Sequence, residues 1–157
     1  MTAITAEQAL AVLREAELLC TPAQIATAVD QMAAAIRADL EYRDPLALLV
    51  MNGGFIPAAQ VLSQLSFPLQ VGYLHATRYR SGTRGGDLEW IAPPRPTVAG
   101  RVVLVIDDIL DEGDTLKAIV AEVRRQGAAA VYSAVLVNKR HDRKAAGLTV
   151  DFVGLEV

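Results

Sequence analysis

The stretch from residue 102 to 115 constrains the fold more than any other. Five apolar residues in succession, Val102, Val103, Leu104, Val105 and Ile106, lead into Asp107 and Asp108, and the chain continues as Ile109, Leu110, Asp111, Glu112, Gly113, Asp114 and Thr115. A short run that is apolar at every position suits a strand buried on both faces, and such strands belong to parallel sheets covered by helices. Carboxylates at the end of the run bring charge out of the core at a fixed point. Gly113 gives the backbone freedom for a tight turn, and helical spacing begins at Thr115. Residues 46–51 are also continuously apolar and end in the small-residue turn Asn52, Gly53 and Gly54. The repeated strand-loop-helix order predicts an α/β fold, a parallel sheet flanked by helices. Both glycine loops then lie at its carboxyl edge, where such folds bind ligands.

The rest of the chain fits around these two strands. Thr5 with Gln8 and Thr21 with Gln24 have the spacing of helix-capping boxes, and Pro22 sits where its missing N–H does no harm. Leu10, Leu13 and Glu17 continue the first helix. Ile25, Val29, Met32, Ile36 and Leu40 recur at helical spacing and predict a buried face on the second. Cys20, beside Leu18 and Leu19, is expected as a buried structural thiol on a helix. A third helix is expected over 57–65, and a strand over 69–75 with Leu69, Val71, Tyr73 and His75 on one side. Residues 76–100 lack sustained periodicity and read as a lid or binding loop, with a short hairpin through 88–91. A helix over 115–125 capped by Gly127, a strand over 131–137 and another over 149–153 complete the pattern.

A length of 157 residues supports one core, so the chain is expected to be a single domain over 1–157. The net charge of -3 provides no general attraction to nucleic acid or to an anionic membrane. An anionic ligand therefore needs a local site, and nucleic acid is not an expected partner. One cysteine excludes an intrachain disulfide framework and a multi-cysteine metal site. No signal peptide and no bilayer-spanning apolar run are read from the sequence, and the expected location is the cytoplasm.

The turn after residue 106 can bind a phosphate through its amides, the Thr115 hydroxyl and the positive end of the following helix. Asp107 and Asp108 suit sugar hydroxyls or magnesium, a hard cation that prefers oxygen ligands. The plainer reading is a helix that starts after an acidic turn, since Asp and Gly are ordinary turn residues. A Walker loop is excluded because no Lys follows the glycine. Arg78, Tyr79, Ser81, Gly82 and Arg84 fit a cover that brings donors to a departing anion, or a solvated basic patch. Lys139, Arg140, His141 and Arg143 form a charged loop after a strand, where His141 reads as a surface histidine. Phe152, by default, is a core anchor.

Residues 101–115 resemble the phosphoribosyl-pyrophosphate signature of the type I phosphoribosyltransferases, and the base-side residues resemble the hypoxanthine-guanine branch. The resemblance implies a parallel-sheet core with helices, a flexible loop and a small hood. It implies that Asp107 and Asp108 meet the ribose hydroxyls directly or through Mg2+, and that Asp111 is the general acid or base near purine N7. Glu112, Gly113, Asp114 and Thr115 would cradle the 5'-phosphate. Asn52, Gly53 and Gly54 would contact pyrophosphate, with a strained or cis peptide at Met51–Asn52; many members carry Lys where this chain has Asn52. Arg78 and Tyr79 occupy the catalytic-loop positions where members usually carry Ser and Tyr, so Tyr79 keeps the pair and Arg78 replaces its Ser. Lys139 would donate to the purine 6-oxo group, Arg143 would contact pyrophosphate, Phe152 would stack on the base, and the Val153 backbone would read its edge. The implied substrates are phosphoribosyl pyrophosphate with hypoxanthine or guanine, pyrophosphate is a product, and a homodimer or homotetramer is implied. A xanthine-preferring enzyme and a nucleotide-sensing RNA-binding regulator are the alternatives on the same fold. The chain is expected to end before the family's usual C-terminal segment.

Overall fold

Capping at the first two helices follows the sequence pattern. In α1 (Ala6–Glu15) the Thr5 side chain accepts from the Gln8 N–H, and the Gln8 side chain accepts from the Thr5 N–H. Thr21 and Gln24 repeat the arrangement at the start of α2 (Pro22–Leu40). A computed structural model of the chain describes residues 4–78 and 88–157, and the side chains of 4–77 and 89–157. The catalytic-loop readings at Tyr79, Ser81, Gly82 and Arg84 lie outside the described residues.

Six strands form one sheet: β1 (Leu46–Val50), β2 (Gln70–Arg78), β3 (Leu88–Arg95), β4 (Val102–Leu110), β5 (Ala130–Asn138) and β6 (Phe152–Glu156). Their order is β3-β2-β1-β4-β5-β6, and every neighbouring pair is parallel except the antiparallel β2–β3 edge. Two further helices, α3 (Phe55–Leu62) and α4 (Asp114–Arg125), cover opposite faces. With α2, α3 buries Ala47, Leu49, Leu104, Ile106 and Ala134. On the other face α4 packs Leu116, Ile119 and Val123 against Leu46, Leu48, Val103 and Val105. Both central strands are thus buried on two sides, as their unbroken apolar runs require. Gly127, at φ 89°, terminates α4 in the left-handed conformation expected of it.

Several expectations are corrected. Cys20 lies in the link between the first two helices, partly exposed, because Thr21 restarts the helix immediately after it. α1 buries none of its residues. In β2 the face carrying Val71 and Tyr73 is exposed, while Leu74 and Ala76 enter the core. Parts of the segment read as irregular, 76–78 and 88–95, are strand. Register shifts between Tyr73 and Ala76 break the period-two pattern that would have revealed it. Pro93 and Pro94 fit there because β3 is an edge strand. Among the described residues no helix is long and apolar enough to cross a membrane.

Candidate active site

The two glycine loops meet at the carboxyl ends of β1 and β4. A Cβ at Gly53 would overlap the Asp108 carboxylate, with Cγ only 2.6 Å away. A Cβ at Gly54 would lie 2.6 Å from the Ile106 carbonyl oxygen and 2.7 Å from that of Val50. Only glycine lets the first loop lie directly on the acidic pair. The Met51–Asn52 peptide is cis, as the resemblance implies.

Asp107 is half-buried, and its Oδ1 accepts the Asp108 N–H at 2.9 Å. Burial pushes its pKa up to about 7, helped by the nearby Asp108 charge and opposed by that backbone hydrogen bond. Among the described residues no cation pairs with Asp107 or Asp108. Two carboxylates without a cationic partner among the described residues, beside an open glycine loop, fit magnesium, which takes one or two protein oxygens and retains water or substrate oxygens. Among the described residues no group of three metal-binding side chains exists, so an all-protein cage is not the arrangement on offer.

The raised pKa carries a stability consequence. An acid whose folded pKa lies above its unfolded value stabilises the fold when protonated, and that contribution is lost as pH rises through about 7. Asp107→Asn removes the ionised form and retains an oxygen for the Asp108 N–H. In chelator at pH 8 it is expected to stabilise the protein by about 1–2 kcal/mol, discounted for solvent screening. Urea melts at pH 8 and pH 5 check this: the gain should shrink at pH 5, and an equal gain at both would refute it.

Asp111 stands beyond β4 with its side chain 47% exposed, gripped at both oxygens. Lys139 Nζ donates to Oδ2 at 3.1 Å, and His141 Nε2 lies 2.7 Å from Oδ1. The Lys139 hydrogen bond, and after it the His141 hydrogen bond, hold the Asp111 pKa below the usual carboxylate range. Arg143 Nη1 lies 3.8 Å from Glu112 Oε1, a loose and exposed pair. The segment after β5 also clasps the acidic turn through its backbone. Lys139 N–H donates to Leu110 O at 3.0 Å, and Ala145 N–H to Glu112 O at 2.7 Å.

Gly113 caps α4 at φ 89°, with no side-chain hydrogen bond at the cap. A Cβ there would run into Leu148 and come within 3.0 Å of Leu110. The helix therefore opens on backbone N–H groups and a positive dipole end beside Thr115, a suitable seat for an anion. Glu112 and Asp114 are exposed and Thr115 is half-buried.

Asn52, Gly53, Gly54, Asp107, Asp108, Asp111, the 112–115 turn, Lys139 and Arg143 therefore gather along one sheet edge. The Phe152 side chain does not join them. Phe152 is 4% exposed, pairs in register with Ala134, and stacks on Tyr132 at 6.3 Å between ring centroids. Val153 packs against the opposite core. The Phe152 ring is therefore a core side chain, level with Ile106 across β5, whereas the partly buried Val153 lies level with Asp107. Arg78 ends β2, and its side chain lies outside the described set.

The sequence reading missed three residues here. Ile109, 45% exposed, presents apolar surface between the acidic positions. His141 is a partner of Asp111 with a side chain only 19% exposed. Lys144 Nζ donates to Leu110 O at 2.9 Å, Asp111 O at 2.7 Å and Asn138 Oδ1 at 2.8 Å. Burial pulls its pKa down, partly offset by Asp111. An apolar residue flanked by carboxylates at a strand end was a readable signal for Ile109. The other two give none, because their partners are some thirty positions away in sequence.

The pattern of the phosphoribosyl transferase domain family matches residues 18–153. The chain is 28% identical over 142 residues to the hypoxanthine-guanine phosphoribosyltransferase of Bacillus subtilis, covering 90% of this chain and 78% of that protein. It is 31% identical over 122 residues to the human enzyme of that name, covering 71% of this chain but only 56% of the human protein. The solved structure of a hypoxanthine phosphoribosyltransferase from Staphylococcus aureus superposes with a TM-score of 0.83 at 21% identity, covering 90% of this chain and 77% of the other. That likeness concerns the fold.

Proposed function

Because the chain belongs to the phosphoribosyl transferase domain family, we propose that it transfers a 5-phosphoribosyl group from phosphoribosyl pyrophosphate to hypoxanthine or guanine, forming the nucleotide and pyrophosphate. The observation that carries this reading is the placement of Asp111 beside Lys139 at the mouth of a glycine-lined sheet edge. The carboxylate accepts a proton, and the ammonium donates to an exocyclic oxo group. An oxopurine presents both partners, an acidic N–H and a 6-oxo acceptor, whereas the 6-amino group of adenine is itself a donor.

In this reading N9 of the base forms a bond to the anomeric carbon as the bond to pyrophosphate breaks, and Asp111 takes up the proton released by the base. The α4 amides and Thr115 hold the 5'-phosphate, while Asn52, Gly53, Gly54 and Arg143 receive pyrophosphate. Ile109 supplies the apolar face against which a planar base lies. Magnesium bound with Asp107 and Asp108 would supply neutralisation of the pyrophosphate charge.

Pyrophosphate release measured with hypoxanthine, guanine, xanthine and adenine, with and without magnesium, tests the proposal. Magnesium-dependent release with hypoxanthine or guanine is expected, with adenine at least about 10-fold slower, the effect of one lost and one opposed hydrogen bond. Preference for xanthine would redirect the substrate assignment. Nucleotide binding without release from any base would point to a regulator.

A further inference from the structure

Resting on the reading of Asp111 as proton acceptor, we propose that His141 is a positioning residue: it holds Asp111 in its working orientation when Lys139 turns to the base. Lys139 and His141 each take one oxygen of the same carboxylate, but they are not equivalent. Lys139 is a long chain, 43% exposed, whose ammonium is also the donor assigned to the purine oxygen. When it makes that second contact it no longer fixes Asp111, and Oδ2 becomes available to the base. His141 is anchored at both ends. Its Nδ1 accepts the Arg143 N–H at 3.1 Å, which leaves the ring proton on Nε2, facing Asp111 Oδ1 at 2.7 Å. Its side chain is 19% exposed, so water competes poorly for that bond. The ring thus has its tautomer set by one backbone group and its orientation set from both sides.

The charged groups around the pair come from two segments. Lys139 faces Asp111 from the end of β5, Lys144 reaches the Asp111 carbonyl from the same loop, and the Arg143–Glu112 pair lies alongside. Removing the imidazole leaves Lys139 and Lys144 in place. What changes is the fixed donor on Oδ1, with part of the support for the ionised carboxylate, and the acceptor for the Arg143 N–H.

The test compares His141→Met with His141→Gln, which match the imidazole in bulk and differ in whether a donor is kept. The single-turnover rate of nucleotide formation, KM for phosphoribosyl pyrophosphate, the acid limb of the pH–rate profile and the melting temperature are measured for each, with Asp111→Asn alongside. His141→Met is expected to slow the single-turnover rate by about 10-fold, the scale of a misoriented catalytic group. Its KM for phosphoribosyl pyrophosphate should be unchanged, and its acid limb should move to higher pH. His141→Gln is expected to restore most of the rate and the position of the limb. A His141→Met enzyme with parental rate and acid limb, while Asp111→Asn is impaired, overturns the role of His141 alone. Failure of Gln to outperform Met in rate or acid limb overturns it as well. Parental turnover in Asp111→Asn overturns the reading beneath it, and this role falls too.

Discussion

Asp111→Asn is expected to lower the single-turnover rate of nucleotide formation by about 10²-fold or more, the scale of a lost general base. The fold should scarcely register the change. The side chain is 47% exposed and belongs to neither hydrophobic core, and an amide oxygen can still accept from Lys139 or His141. What the amide cannot do is take the proton that leaves the base. The lowered Asp111 pKa, caused first by Lys139 and then by His141, keeps the parent's carboxylate ionised well into mildly acidic solution. The parent should therefore retain turnover as pH falls below neutrality and lose it only as that carboxylate protonates. Rapid-quench measurement across pH checks both points. A variant as fast as the parent would remove Asp111 from the chemistry.

Gly54→Ala should be strongly destabilising, costing about 3 kcal/mol or more. The added methyl would sit 2.6 Å from the Ile106 carbonyl, 2.7 Å from the Val50 carbonyl and 3.2 Å from the Asp107 Cα. All three are backbone atoms of the two central strands, and neither strand can retreat without breaking its ladder. Gly53→Ala meets a side chain instead, the Asp108 carboxylate, which can rotate away. That variant should melt close to the parent but bind phosphoribosyl pyrophosphate about 10-fold more weakly, as expected when one ligand-facing group is displaced. Urea midpoints and KM values separate the two cases. A Gly54→Ala midpoint matching the parent would mean that the loops lie farther apart than described.

What could be read from the sequence was whatever local spacing determines. Thr5 with Gln8 and Thr21 with Gln24 sit three residues apart, so the cap is written in adjacent turns. The run at 102–106 has only one comfortable environment, and its acidic end marks the sheet edge at which the candidate residues gather. Contacts set by how distant segments dock were not readable. Phe152 read by default as a core anchor, and it is one, stacked on Tyr132, although the resemblance around it implied a base platform. His141 looked like a surface residue because nothing near it in sequence reveals that Asp111 lies 2.7 Å away. β3 was read only in part, as a hairpin through 88–91, because bulges disrupt the alternation on its partner strand.

The Lys144 ammonium adds a mechanical consequence. One cation satisfies two carbonyls around the acidic turn and a side chain at the end of β5, so the loop after β5 and the acidic turn share a rivet beyond their backbone clasps. Neither half can slacken without loosening the other, and the entropy of bringing them together has been surrendered during folding, before any substrate arrives.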